Sequence, residues 1–526
     1  SEICRIFPHG KYAHMKKFSL FLLFLLPLLP TDSLSAQPIR PPKREMRGVW
    51  VASVANIDFP LKPTTDTAQL KKEWLTMLDG FAQHGLNAVY VQIRPAADAL
   101  YATPLAPWSA YLSGKQGQAL QGGWDPLPFL IETAHARNME FHAWLNPYRA
   151  SNEPDTTRFS PQHVFHTHRD WILYYGKKYY LNPALPEVWQ HLCGVVKDIV
   201  ARYNVDAIHM DDYFYPYKVA GEVFPDSTDF LRYGQGFAHI DDWRRHNVDT
   251  LIQMLRDTIK QTKPHVEFGI SPFSVWRNQS KDPEGSPTRA GQTNYDDLYA
   301  DIRKWLKEGW IDYVVPQLYF PIGFDLVDYE KTLNWWHDNA YGKKLYIGMA
   351  AYRIGSDRSP DWQQPDQMPR QLRINHAYPK VDGVVYFSAK QLLKNPLGFG
   401  DSLRTSFYRD PALWPLRSGA AANPLPAPVL KKARRSGQGI HLNWEWPRNP
   451  AGLSHVVVYR FPKGMEADTE TPGAIHRILP AAEILENGFL DQSGLSGQKY
   501  RYRLSALNRD YVESPPSNIL NSKRFP

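Results

Sequence analysis

The stretch VDAIHMDDYFYPY, residues 205–217, opens as an apolar strand and ends in two adjacent acids followed by a cluster of aromatic residues. Near-continuous apolar strands belong to parallel sheets covered on both faces. A carboxylate where such a strand gives out is the placement used by enzymes built on closed barrels. Seven other runs share the habit of an apolar start and a polar or aromatic end: MRGVWVASV (46–54), AVYVQIRP (88–95), EFHAWLNPY (140–148), VEFGISPF (266–273), DYVVPQLY (312–319), LYIGMAAY (345–352) and GVVYFSAK (383–390). Helical patterns separate them, among them LKKEWLTMLDGFAQHG (70–85), VWQHLCGVVKDIVARY (188–203), DDWRRHNVDTLIQMLRDTIKQT (241–262) and YDDLYADIRKWLKEG (295–309). Strands alternating with helices in this number predict an α/β chain with a (β/α)8 TIM-like barrel over residues 37–417. The alternative, a doubly wound open sheet, would carry a Gly-rich phosphate turn after an early strand, and none is seen.

The pattern changes at SGAAANPLPAP (418–428), a small-residue and proline-rich stretch that reads as a linker. Beyond it GIHLNWEW, HVVVYR and KYRYRLSALN are short alternating strands, so residues 429–526 predict a small all-β sandwich. With Trp444 on an early strand, Tyr502 on a late one and the ESPPS ending, this portion resembles a fibronectin type III domain. Such modules act as spacers, packing partners or docking surfaces, so an envelope protein is a partner it would suit.

At the other end, MKKFSLFLLFLLPLLPTDSLSAQ (15–37) has a basic start, an apolar run and small residues before Gln37. It reads as a secretory signal peptide cut after Ala36. The run is short for a membrane span; an uncleaved anchor is the alternative. Residues 1–14 read as an upstream extension, and residues 1–36 are set aside. Export to the periplasm, cell surface or medium is expected, with no span in the mature chain.

Lysine and arginine number 61 against 53 acids, a net charge of +8, but no long basic run is present. Nucleic acid is therefore not an expected partner, although an anionic polymer fits the charge. Aromatic residues make up 13% of the chain, which suits either a large core or a cleft that stacks sugar rings. Of the two cysteines, Cys4 and Cys193, only the second lies in the mature chain, so neither a disulfide nor a thiolate metal site is expected. No His-x-x-x-His spacing accompanies the paired acids, and neither metal nor cofactor is expected.

Alternation along the strand sends Ile208 and Met210 toward the helices, and Ala207, His209 and Asp211 toward the barrel axis. Asp212 joins Asp211 at the mouth only if the chain bends there, as strands commonly do beside active sites. Two neighbouring carboxylates cannot both ionise freely, so one keeps a proton beside an anion. That combination serves glycoside cleavage, which needs an acid for the leaving oxygen and an anion to support charge at the anomeric centre. A structural role for one acid, capping a helix or holding Arg94, is the alternative. Arg94 itself suits either a sugar carboxylate or Asp211. Asn146, Gln317 and Tyr319 carry amide and phenol groups suited to sugar hydroxyls, or to structural hydrogen bonds. Trp276 and Trp108 lie in loops, where they stack on sugars or pack beneath the chain.

Taken together, EMRGVWVASVANIDFP, VYVQIRPAADALY, FHAWLNPYR, AIHMDDYFYPY, FGISPFSVWRN and VVPQLYF resemble the glycosyl-hydrolase-like family ten, across the whole barrel and in order. The resemblance implies a secreted bacterial glycosidase-like enzyme; some members act on peptidoglycan glycan strands, including strands stripped of their stem peptides. The family's motif residues fall here on Arg47, Gly48 and Trp50; Arg94 and Asp98; Asn146, Tyr148 and Arg149; Asp211, Asp212 and Tyr213; and Gln317 and Tyr319. From these come the candidate catalytic residues Asp211, Asp212 and Tyr319, and the candidate substrate-binding residues Arg94, Asp98, Asn146, Tyr148, Tyr213, Trp276 and Gln317.

A retaining glycosidase usually takes its two carboxylates from different strands, yet no second strand here ends in an acid. The adjacent pair resembles that of substrate-assisted hexosaminidases. On that pattern Asp212 protonates the leaving oxygen, Asp211 orients the substrate's own acetamide and Tyr319 hydrogen-bonds it. The expected function is hydrolysis of peptidoglycan glycan or a related N-acetylated polysaccharide. Two alternatives are an amylase-type hydrolase of neutral polysaccharide with Asp211 as nucleophile, and a glycan-binding protein without catalysis.

Overall fold

The computed structural model describes residues 41–522, apart from 422, 472, 485–487 and 495–497. The signal-peptide reading lies outside the described residues. Eight parallel strands close into a barrel: Met46–Val51, Ala88–Arg94, Glu140–Leu145, Ala207–Met210, Glu267–Ile270, Tyr313–Val314, Lys344–Met349 and Val381–Tyr386. Each pairs with its neighbours in sequence, and the eighth closes on the first with Met46 opposite Gly383. The expected TIM-like barrel is the fold.

The barrel axis is filled rather than open. Trp50, Tyr90, Trp144, Tyr313 and Tyr346 point inward, with Ala88 and Ala207 between them. Large rings fit only beside small partners: a Cβ added at Gly269 would lie 2.0 Å from the Tyr313 ring, and one at Gly48 would lie 2.7 Å from Tyr90. Ile208 and Met210 face the helices, in the outer core. A polar chain also runs along the axis. The Glu140 carboxylate meets His142 at 3.0 Å, His142 meets the Tyr313 hydroxyl at 2.8 Å, and Tyr313 meets His209 at 3.2 Å.

Several helices begin where the sequence supplies a cap. Asp66 accepts from the backbone N–H groups of Ala68 and Gln69 at the start of Thr67–Gln83, and Pro186 opens Pro186–Arg202, a position that needs no N–H. The pattern at 295–309 does not form one helix. It splits into Asn294–Asp297 and Ile302–Lys307 because Tyr299 adopts φ +53° and Asp301 caps the second piece. The sixth strand is also shorter than the expected run 312–319, since Pro316 has no N–H to give a ladder.

Residues beyond the barrel form a sandwich of two antiparallel sheets. One contains Val429–Ser436, Gly439–Glu445 and Gly488–Asp491. The other contains Ile475–Pro480, Leu453–Pro462, Tyr500–Asn508 and Leu520–Asn521 in that spatial order. Trp444 and Tyr502 are buried between them, and the Tyr502 hydroxyl donates to Asp491 at 2.7 Å. The sandwich and the segment leading to it close the base of the barrel. Arg417 reaches Glu140 at 3.0 Å and Asp206 at 2.6 Å. Tyr511 donates to Glu140 at 2.8 Å, and Trp414 stacks on Tyr511 at 4.8 Å. Among the described residues no helix is long and apolar enough to cross a membrane.

Candidate active site

The fourth strand stops at Met210, whose carbonyl accepts from Ser271 N–H. The next two residues are Asp211 and Asp212, each only 4% exposed. Trp144 and Asn146 follow inward-facing His142 at two-residue spacing on the third strand and its exit, and both turn toward Asp211. The Trp144 indole N–H donates to its Oδ2 at 3.0 Å, and the Asn146 amide donates at 3.3 Å. Tyr213 N–H adds a weaker contact at 3.4 Å. Asp212 has different company: the Tyr217 hydroxyl donates to it, and Gln317 hydrogen-bonds it.

Burial is the largest influence on both acids, and it pushes both upward. Asp211 rises to about 7, helped by the neighbouring Asp212 and opposed by Arg149 and the Trp144 hydrogen bond. Asp212 rises for the same reason, opposed chiefly by Tyr217. Each acid is therefore harder to ionise than an ordinary aspartate. Their partners differ in kind. Trp144, Asn146 and Tyr213 present only N–H groups to Asp211, which suits a carboxylate. Tyr217 and Gln317 carry acceptor oxygens as well, so they can also serve a protonated Asp212.

Trp144→Phe removes a donor that favours the Asp211 anion while keeping an aromatic ring in the barrel. Any activity that needs ionised Asp211 is expected to have its acidic limb moved upward by roughly 0.5–1 pH unit. The pH profile of kcat/KM checks this; an unmoved limb would remove Asp211 from the role.

Aromatic side chains surround the pair. Tyr319 is partly exposed; desolvation of its hydroxyl is the main influence opposing its ionisation, and it is close enough to both acids for their charges to add to it. It packs on Phe387 at 6.2 Å and Tyr352 at 5.8 Å. Tyr213 is also partly exposed, and the Arg149 guanidinium lies 4.3 Å from its ring centre. Gln317 is fixed by donating to the Ser271 carbonyl at 2.9 Å. The structure thus brings together Asp211, Asp212, Asn146, Tyr213, Gln317 and Tyr319.

Four other candidates lie apart, each for a visible reason. A bulge between Gln92 and Arg94 pairs Arg94 with outward-facing Leu145, and a one-residue slip turns a side chain to the other face. Arg94 is fully buried and donates to the Asn146 and Pro147 carbonyls at 2.9 and 3.3 Å. It braces the chain that carries Asn146, in place of the expected contact with Asp211 or a sugar. Asp98 is buried among its own loop, where it accepts from Ala96 N–H at 3.1 Å; desolvation pushes it to about 6. Tyr148 is fully buried in the outer core, and its hydroxyl has no hydrogen-bond partner among the described residues. Trp276, expected to stack on sugar, is 4% exposed, stacked on Trp335 at 5.7 Å and donating to Asp301.

Trp144, Arg149 and Tyr217 are the additions that residue-by-residue reading did not place in the site. The signal for Trp144 was its two-residue spacing from Asn146. Arg149 stood in the family motif but without a partner to give it a role. Tyr217 had no periodic signal, because it lies in a loop. No group of acids, histidines and cysteines suited to a metal occurs among the described residues.

A family model described as Glycosyl hydrolase-like 10 matches residues 45–364. Glycosyl hydrolase YngK from Bacillus subtilis (strain 168) is 42% identical over 484 residues, covering 90% of this chain and 92% of that protein. Glycosyl hydrolase DigH from Escherichia coli (strain K12) is 39% identical over 372 residues, covering 66% of this chain and 84% of that protein. Among solved structures, the PgaB (BpsB) glycoside hydrolase domain from Bordetella bronchiseptica aligns with a TM-score of 0.46 at 14% identity, covering 69% of this chain and 98% of that one.

Proposed function

Given that the chain belongs to the glycosyl hydrolase-like 10 family, we propose that it is an exported glycoside hydrolase that cleaves peptidoglycan glycan or a related N-acetylated polysaccharide. The observation that carries this reading is the buried Asp211–Asp212 pair at the mouth of the barrel, walled by aromatic side chains. Asp212 protonates the leaving oxygen. Asp211, whose N–H donors favour its anion against the burial that raises it to about 7, orients the acetamide of the sugar being cut once it is ionised. The acetamide oxygen attacks the anomeric carbon as the bond to the leaving oxygen breaks, and water then opens the resulting ring. Tyr319 hydrogen-bonds the acetamide, while Gln317 and Asn146 hold the acids. Among the described residues no other barrel strand ends in a carboxylate, which supports a substrate-assisted route over a two-strand pair. The basic start and apolar run of residues 15–37 support export, and the three-plus-four strand arrangement supports a fibronectin type III-like sandwich.

The test incubates protein beginning at Gln37 with peptidoglycan glycan that is intact, stripped of peptides, or stripped and then de-N-acetylated. Products are read by mass spectrometry. New fragments from the acetylated strands alone are expected. Efficient cutting of the deacetylated strands would end the substrate-assisted route, and no fragments from any preparation would end the hydrolase reading for this polymer.

A further inference from the structure

The catalytic pair is connected by aromatic side chains to an open surface. Tyr217, which donates to Asp212, lies edge-on to Phe273 at 6.5 Å. Phe273 lies edge-on to Phe320 at 6.4 Å, and Phe320 stacks on Phe324 at 5.6 Å with ring planes 6° apart. Tyr217 and Phe273 are partly exposed, Phe320 is buried at 7%, and Phe324 at the end of the row is 37% exposed.

Phe324 has no polar atom to explain its place at the surface, and single exposed apolar residues are common. Three features set it apart. It continues a row that starts on a catalytic carboxylate's partner. Leu326 beside it is 46% exposed, and the Arg289–Asp325 ion pair lies on the same loop edge, with Arg289 N–H donating to the Leu326 carbonyl. Finally, its turn is fixed: Gly323 takes φ +82° and donates its N–H to Asp328, which also caps the helix Tyr329–Asp338. A flat apolar ring held rigidly beside charged hydrogen-bonding groups is a surface suited to the apolar face and hydroxyls of a pyranose.

We propose that the loop after the sixth barrel strand carries a distal sugar platform, Phe324 backed by Phe320 and flanked by Leu326 and the Arg289–Asp325 pair. It holds the substrate glycan several residues away from the bond being cut and gives the protein a preference for long chains. This rests on the glycoside-hydrolase reading of the Asp211–Asp212 site.

The experiment compares the full chain with Phe324→Ala and Phe324→Trp on peptide-free glycan strands sorted into short and long fractions. The ratio of kcat/KM for long over short strands is expected to fall about tenfold in Phe324→Ala and to be retained in Phe324→Trp. The same ratio is measured for binding affinity with Asp212→Asn in place, where no cutting intervenes. An unchanged ratio in both measurements overturns the platform. If the unaltered chain cuts nothing, the catalytic reading fails, and the affinity ratio still decides the platform. A tenfold fall supports it; no fall, with Phe324 instead needed to capture a protein partner, overturns it.

Discussion

Asp211→Asn is expected to abolish glycan cleavage while making the protein more stable above neutral pH. The loss follows from its proposed role as the anion that orients the acetamide, and Asp212→Asn is expected to lose at least about 10³-fold for want of the proposed general acid. The stability gain follows from burial. An ordinary aspartate near 3.8 is pushed to about 7 at position 211, so the folded state resists ionisation that the unfolded state accepts. Below about pH 4 both states are protonated and the site costs nothing. Between pH 4 and 7 the unfolded chain releases the proton first, and stability falls. Above pH 7 the cost is complete, at most about 4 kcal/mol. Asparagine removes that slope, although its NH₂ meets the donors of Trp144 and Asn146, leaving a net gain of about 2 kcal/mol. Thermal melts of both proteins from pH 4 to 9 check this. A pH-independent difference, or turnover above one-tenth of the unaltered rate, would contradict the assignment.

Arg417→Ala is expected to cost about 3–5 kcal/mol, the usual penalty for leaving buried charges without their partner. Arg417 is 6% exposed and answers both Glu140 and Asp206, while its guanidinium lies 4.9 Å from the Tyr511 ring centre. Burial works against the charge on Asp206, but His135 and Arg417 outweigh it and hold the carboxyl below the ordinary range. Glu267 is likewise lowered, against its burial, by Lys344 and Arg417. Depressed carboxylates stabilise above their unfolded pKa near 4 and lose that contribution as pH falls through their folded values. The joint between barrel and sandwich should therefore weaken in acid, and the variant should weaken less steeply. Guanidinium chloride unfolding at pH 7, and across a series from pH 4 down to about pH 2, measures both effects; a loss under about 1 kcal/mol at pH 7 would mark the cluster as a solvated contact.

Much of the barrel was legible because parallel strands buried on both faces announce themselves as apolar runs, and their number and order leave few topologies. The inward turn of Asp211 was legible for the same reason: strand alternation has period two. What failed was alternation across an irregularity. Arg94 stands at the polar end of its strand, but the bulge after Gln92 carries it to the helix side. Trp276 and Tyr148 failed differently. Whether a loop aromatic is open or covered depends on what packs over it, and Trp335, the partner of Trp276, lies 59 positions away. Trp144 and Arg149 gained roles only once the third and fourth strands were side by side. Sequence shows which groups reach the mouth more readily than it shows which of them meet.

The two acids sit on consecutive residues, joined through one peptide with Cα atoms about 3.8 Å apart. A pair drawn from opposite strands changes its spacing whenever the barrel breathes or a core substitution alters its girth. Here covalent geometry sets the spacing, while the groups that shape the pocket, Trp144, Asn146, Gln317 and Tyr319, come from other strands and their exits. Barrel packing can thus reshape the cleft and retune the acids through Trp144, Asn146 and Gln317, but the backbone spacing of the pair is fixed. Changes in barrel packing can reshape what the cleft accepts without pulling its acid away from its anion.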